Sequence, residues 1–252
     1  MISYEFPLNE RVRTLLRLED LHDKAEYFMA SEDPRPHHAA IIALFEILDV
    51  ASRADLKSEL MQELERQRQH LESLRNSPAV STEALDRVLG EIDQANGSLY
   101  QASGKTGQEL RENDWLMAIR QRTAIPGGAC EFDLPSYHYW LHLDPAVRRE
   151  ELLKWLGHFS PLREGLRIVL RFLRESGKRT SCHASGGVFQ QMMGGKLVPM
   201  LRVLVPKDLP CVPEVSANKY ALNVRFTHAQ GSERGKTFDQ DVDFELVFCN
   251  VA

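Results

Sequence analysis

Apolar residues recur at spacings of three and four from about residue 10 to residue 176, and the pattern then turns extended. Leu15, Leu18, Leu21, Ala25 and Phe28 form one stripe, predicting a helix from Asn9, its N-cap, to about Ala30. Asp33-Pro34-Arg35-Pro36 breaks the chain, because proline fixes φ and removes a backbone donor. Ala39 to Ala51 is apolar on most sides and reads as the buried central helix of a bundle. Leu56, Leu60, Leu64, Gln67, Leu71 and Leu74 follow at nearly heptad spacing, with Gln67 as the polar interruption. They predict a helix over Asp55 to Arg75, about 30 Å long at roughly 1.5 Å per residue. Asn76-Ser77-Pro78 turns the chain. Leu85, Val88, Leu89, Ile92 and Leu99 supply a return helix, so a long antiparallel helical hairpin is expected.

A further helix is predicted over Gly107 to Thr123, stopped at Pro126-Gly127-Gly128, where proline cannot continue the ladder and glycine takes a left-handed turn. Asp133 reads as the cap of the next helix, with Pro135 just inside it, and Asp144-Pro145 repeats the signal. Helices over Ala146 to Phe159 and Pro161 to Ser176 follow, the second with Leu166, Val169, Leu170 and Leu173 on one side. After Gly177-Lys178-Arg179-Thr180, strands are expected over Gly187 to Met193, Lys196 to Val205, Lys219 to Thr227 and Thr237 to Cys249. Met192-Met193-Gly194-Gly195 and Gly231 to Gly235 read as hairpin turns, and Ile2 to Phe6 as a strand that joins the sheet. The expected class is α+β: a mainly helical domain over 8–177 with a long hairpin, and a small antiparallel β domain over 178–252 with 1–7 as an added strand. No internal repeat or low-complexity segment is visible.

Composition narrows the function classes. The 252 residues are 43% hydrophobic and 27% charged, as in ordinary globular proteins. A net charge of −5 argues against sequence-independent nucleic-acid binding, which needs a broad basic face. The longest apolar run, Ala39 to Leu48, is interrupted by Glu46 and too short to span a bilayer. Met1-Ile-Ser-Tyr-Glu5 lacks the basic start of a secretory signal, so no leader is expected. Cys130, Cys182, Cys211 and Cys249 are far apart without a metal or redox spacing, and are expected as free thiols in a reducing cytoplasm.

The candidate chemistry is sparse. Ser103-Gly104-Lys105-Thr106 resembles the end of a phosphate loop, but Leu99 stands where that loop needs a glycine, so a helix-to-helix turn is expected. Cys182-His183 lacks any thiol-hydrolase signature, and strand neighbours point apart. His37 and His38 read as polar residues at a helix start. His138 and His142, one turn apart, lack a third metal ligand. No metal or cofactor is expected. The histidines are ordinary core residues or donors beside an aromatic peptide groove. Arg13 and Arg17 lie off the apolar stripe, with Lys24 on the same side and Asp20 partly offsetting them. They form a solvated face, or an anion-recognition patch extended by Arg53, Arg120 and Arg122. Lys219 and Arg225 are expected on one strand face. The sheet edge and the cluster of Tyr137, Tyr139, Trp140 and Trp155 are the surfaces capable of pairing.

Arg120 to Leu143, together with Phe6-Pro-Leu-Asn-Glu10, Leu15-Leu-Arg-Leu18 and Leu48-Asp-Val50, resembles the ZapD family of bacterial division-ring proteins. The likeness runs over the whole chain. It implies a cytoplasmic, non-enzymatic adaptor at the mid-cell division ring. Such an adaptor grips the C-terminal tail of FtsZ with a basic surface and, as a homodimer, bundles FtsZ filaments. His138, the histidine of Phe-Asp-Leu-Pro-x-x-His, carries over as a contact residue. Trp115 departs from the polar residue that the likeness leads one to expect. The alternative is an enzyme of unknown type using a cleft between the two domains, but no nucleophile–base pair or metal set assembles from the sequence.

Overall fold

A computed structural model of the protein describes residues 1–53, 55–78, 80–102, 104–195 and 198–250. The described elements run β1 (Ile2–Pro7), α1 (Glu10–Met29), α2 (Pro34–Ala51), α3 (Leu56–Ser73), α4 (Thr82–Gln101), α5 (Gln108–Arg111), α6 (Asp114–Thr123), α7 (Pro135–Leu141), α8 (Pro145–Gly157), α9 (Ser160–Glu175), β2 (Arg179–Ala184), β3 (Val188–Met192), β4 (Met200–Val205), β5 (Cys211–Ala217), β6 (Ala221–His228) and β7 (Val242–Cys249). The class is α+β. The chain forms two compact units: Thr14–Val169, all helical, and Met1–Arg13 with Leu170–Ala252, which holds the sheets. The division falls inside α1 and α9.

In the helical unit, α2 is the central helix, with Ala40, Ile41, Ala43, Leu44, Phe45, Ile47 and Leu48 buried. The two prolines that end the preceding segment also start this helix. Asp33 caps it by accepting from Arg35 N–H at 2.8 Å, and Pro34 sits where a missing donor costs nothing. α3 and α4 form the expected hairpin. Leu56, Leu60, Leu64 and Gln67 face Leu85, Leu89, Ile92, Ala95 and Leu99, while Leu71 and Leu74 are only half-buried toward the turn. Each fully buried leucine there contributes about 1.5–3 kcal/mol of apolar transfer free energy. The buried Gln67 donates to Glu63 at 3.3 Å, but its own carbonyl oxygen has no partner among the described residues.

Two helix expectations need correction. The predicted helix over Gly107 to Thr123 is two helices, because Asn113 takes an extended conformation and its side chain accepts from Leu116 N–H at 3.0 Å, starting α6 afresh. Asp133 does not cap α7: the N-cap is Leu134, and Asp133 pairs with Arg122 at 3.2 Å instead. Asp144 does cap α8, accepting from Ala146 N–H at 2.8 Å. Gly104 and Gly107 both take left-handed backbone, as a turn between helices requires. A Cβ on Gly107 would lie 2.4 Å from Leu48 Cδ1. Ser103 lies outside the described residues.

The β unit holds two antiparallel sheets rather than one, a four-stranded sheet ordered β1-β4-β7-β2 and a three-stranded sheet ordered β3-β6-β5. The N-terminal strand does join, pairing Ile2 with Val205 through Pro7 with Met200. Leu201, Val203, Leu222, Val224, Phe226, Phe244 and Leu246 form the core between the inward faces. Strands β2 and β5 were not among the expected ones. Pro213 interrupts β5 and disguises it, yet β5 is an edge strand where a missing donor is tolerated. Met192 to Gly195 is not a hairpin turn, since β3 and β4 belong to different sheets. Gly231 to Gly235 does fold the chain back on β6, through Gly235 N–H to His228 O at 3.0 Å and Phe238 N–H to Phe226 O at 2.9 Å, before β7 begins. The true β5–β6 hairpin turns at Asn218, whose side chain accepts from Tyr220 and Ala221 N–H. The expected strand over Lys196 to Val205 begins at Met200, and Lys196 and Leu197 lie outside the described residues.

Candidate partner-binding site

The C-terminal end of α2 gathers cations, as the partial negative charge of unpaired helix carbonyls favours. Arg111 of α5 donates to Leu48 O at 3.1 Å and to Thr106 O at 2.9 Å. Arg120 of α6 pairs with the Asp49 carboxylate. Arg53, just past the helix end, donates to Thr14 Oγ1 of α1 at 3.2 Å. Arg17 lies three residues beyond Thr14 on α1, hence on the neighbouring part of the same face. Three segments distant in sequence thus bring Arg17, Arg53 and Arg120 about one helix end. Arg17 and Arg53 are exposed, and Arg120 is half-buried against a largely exposed Asp49. Such a surface pair is worth about 0–1 kcal/mol and exchanges readily for another carboxylate.

Arg120 and Arg122 do not share a face. Residues two apart on a helix point in different directions, so Arg122 turns to Asp133 in the connection before α7. Gly128 makes that connection close: a Cβ there would lie 2.3 Å from the Arg122 carbonyl oxygen. His138 stands nearby in the chain, 3.7 Å from Glu131, with its ring 4.4 Å from that of His142, centroid to centroid. Phe132, in the same connection, is 80% exposed.

Beside these residues the aromatic cluster is core, not a pairing face. Tyr137, Trp140 and Trp155 are buried, and the rings of Tyr137 and Trp140 stack with centroids 5.8 Å apart. Trp115 explains itself here. Its ring lies 5.8–6.1 Å from those of Tyr137, Trp140 and Trp155, and its indole N–H donates to Ser136 at 3.1 Å. Only Tyr139 of the group is exposed. The cluster forms one wall of a groove of about 940 Å³ between α6, α7 and α8, rimmed by Glu150, Glu151 and Lys154.

His37 is no surface residue either. It is fully buried and accepts from Arg148 Nε at 2.9 Å, while Arg148 also donates to Leu141 O, Leu143 O and Glu32 O, each at 2.6 Å. This node ties the α1–α2 connection to the α7–α8 connection. Burial pushes the His37 and His38 pKa values down, and His38 shares a 2.6 Å hydrogen bond with the Tyr137 hydroxyl. Nothing in the sequence marked Arg148, because a buried arginine is recognised only by the carbonyls that converge on it.

The remaining candidates lie in the β unit. Arg13 pairs with Glu10 at 3.3 Å. Arg225 pairs with Glu214 across β5 and β6 at 2.5 Å. Lys219 is in the hairpin turn, not on a strand, with its Nζ 4.8 Å from the centre of the Tyr220 ring, so it does not share a strand face with Arg225. Cys182 is half-buried against the core and burial raises its thiol pKa, whereas His183 pairs with Asp243 at 2.8 Å. The two neighbours serve opposite sides of β2.

No helix among the described residues is long and apolar enough to cross a membrane. Residues 16–225 match the family model for the cell division protein ZapD. Over its whole length the chain is 54% identical to the cell division protein ZapD of Azoarcus sp. (strain BH72) and 54% identical to that of Dechloromonas aromatica (strain RCB), each covered in full. It is 51% identical to the ZapD of Nitrosomonas europaea over 96% of that protein. A family model covering most of the chain and relatives that align from end to end lead to one conclusion: the chain belongs to the ZapD family of cell division proteins.

Proposed function

We propose that this protein is a non-enzymatic division adaptor that binds the C-terminal tail of FtsZ and, as a two-fold dimer, cross-links FtsZ filaments at the mid-cell ring. Membership of a family of cell division proteins supports the setting. The observation that carries the reading is the gathering of Arg17, Arg53 and Arg120 about the end of α2, in a chain whose net charge is −5. Clustering two exposed guanidinium groups and a half-buried one against the overall charge suits capture of carboxylates on a short peptide, because each planar fork can hold a carboxylate in two bonds. Arg122, His138 and Phe132 offer a second polar and apolar contact zone in the same helical unit. Bridging needs two linked sites, which a two-fold dimer provides without further contacts.

Co-sedimentation with FtsZ filaments tests this. The protein should pellet with filaments of intact FtsZ and bundle them, and should stay in solution when the tail is removed. Binding should weaken as salt rises, since exposed charges are screened within about 10 Å at 0.1 M. Equal pelleting with tailless filaments would end the tail reading.

A further inference from the structure

All three tryptophans of the chain, Trp115, Trp140 and Trp155, line the groove between α6, α7 and α8, and Tyr139 stands open beside them, 69% exposed. The three indole centroids lie 5.8–6.0 Å apart. Trp140 and Trp155 show the groove only narrow strips, so the half-buried Trp115 and the exposed Tyr139 are the rings a ligand meets first. The α8 wall is acidic. Val147, Glu150, Glu151 and Lys154 follow at helical spacing, and one face of α8 carries all four into the lining. Two carboxylates thus stand against one ammonium group. Arg148 and Arg149 do not change that balance, because they turn to the α1–α2 connection and donate to Glu32 O and Met29 O at 2.6 and 3.3 Å. Two of the groove's groups are held in place. The Trp115 indole N–H donates to Ser136 at 3.1 Å, and Glu151 accepts from the Trp140 indole N–H at 2.5 Å. That second bond occupies one oxygen of Glu151 and leaves the other to accept. Ring faces attract cations, and a ring and a carboxylate already fixed side by side cost little further ordering when one binds.

We propose that this groove is a second peptide site, one that takes an arginine side chain of a partner protein. The guanidinium group lies over the rings of Trp115 and Tyr139 and donates to Glu150 and Glu151. Its charge preference is opposite to that of the Arg17, Arg53 and Arg120 surface, so the site selects a different segment and does not rest on the tail reading. Arginine fits better than lysine, because its planar group stacks on an aromatic face and offers its donors as a fork. A peptide fits better than a free small cation. The groove, about 940 Å³, is open and far larger than one guanidinium group, and Leu143 and the exposed Val147 extend an apolar surface for the residue beside the arginine.

The test uses the full chain and the peptide acetyl-Gly-Leu-Arg-Leu-Gly-amide, beside the same peptide with glutamine in place of arginine. Binding is measured by calorimetry and, because every tryptophan of the chain lies in the groove wall, by intrinsic fluorescence. The arginine peptide should bind and shift the tryptophan emission, and the glutamine peptide should bind at least about tenfold more weakly. Glu150→Gln combined with Glu151→Gln should cost the arginine peptide a similar factor. Glutamine at position 151 still accepts the Trp140 N–H, so the unfolding midpoint should hold, and binding of an FtsZ tail peptide should be unchanged. Tyr139→Ala, at an exposed ring, should weaken the arginine peptide without lowering stability. No heat and no emission change with the arginine peptide at about 1 mM, or equal binding of the glutamine peptide, would overturn the proposal. Equal binding of tetramethylammonium chloride would overturn it in favour of a small organic cation. A double variant that loses the tail peptide together with the arginine peptide would make the groove part of the tail surface and end its standing as a second site. A wild-type chain that binds the arginine peptide but ignores the tail peptide would sink the tail reading and leave this site in place.

Discussion

Arg148 and Arg120 sit in the same helical unit and do opposite things. Arg148 is 3% exposed and spends its donors on three carbonyls and one imidazole, so nothing outside the fold can recruit it. Arg120 faces an exposed carboxylate that solvent already contests. The difference teaches that an arginine's role is set by who satisfies it. A buried guanidinium fixes the geometry of two connections. A half-buried one at the surface, leaning on an exposed carboxylate, contributes little to the fold.

Breaking the buried side of that contrast should have the largest effect. Arg148→Met strands four acceptors and should cost about 3–5 kcal/mol of folding stability in urea unfolding. A loss below about 1 kcal/mol would mean that the node holds little together.

A second buried group, His22, should make stability depend on pH. Burial, with a smaller contribution from Arg163, lowers its pKa to about 4. The unfolded chain, with a histidine pKa near 6.5, binds more protons in between, so stability is full above that value and falls as pH drops toward 4. The loss should reach roughly 3 kcal/mol. His22→Gln should remove that part of the slope, measured by unfolding at stepped pH.

On the exposed side, Arg17→Glu should leave the unfolding midpoint nearly unchanged and weaken tail-peptide binding at least about tenfold, roughly 1.4 kcal/mol. Undiminished binding would remove Arg17 from the surface. Gln67→Met should stabilise the hairpin by about 1 kcal/mol, since it deletes an orphaned carbonyl oxygen without changing volume much. Arg120→Gln completes the comparison. It should shift stability by less than about 0.5 kcal/mol, against the several lost at Arg148.

Local signals carried much of the fold. Asn9 and Asp144 accept amides at helix starts as the sequence foretold, Leu56, Leu60 and Leu64 of the hairpin bury at their heptad spacing while Leu71 and Leu74 are only half-buried, and the alternation over Val242–Cys249 is a strand with one buried face. Asn113 was legible in principle, as an asparagine before an aspartate inside a helical pattern. Asp133 was misleading, because its carboxylate found Arg122 rather than an amide.

Hydrophobic periodicity and punctuation, which act over a few residues, determined most helices, most strands and the α+β class, while the likeness of the whole chain to known relatives identified the family. Tertiary structure alone decided that the strands form two sheets, that Pro213 lies on an edge, and that Tyr137 and Trp140 are core. It also decided that Arg17, Arg53 and Arg120 gather at one helix end while Arg148 is spent inside. Each of those outcomes depends on contacts between segments tens of residues apart, and no short-range pattern records which partner a side chain will meet.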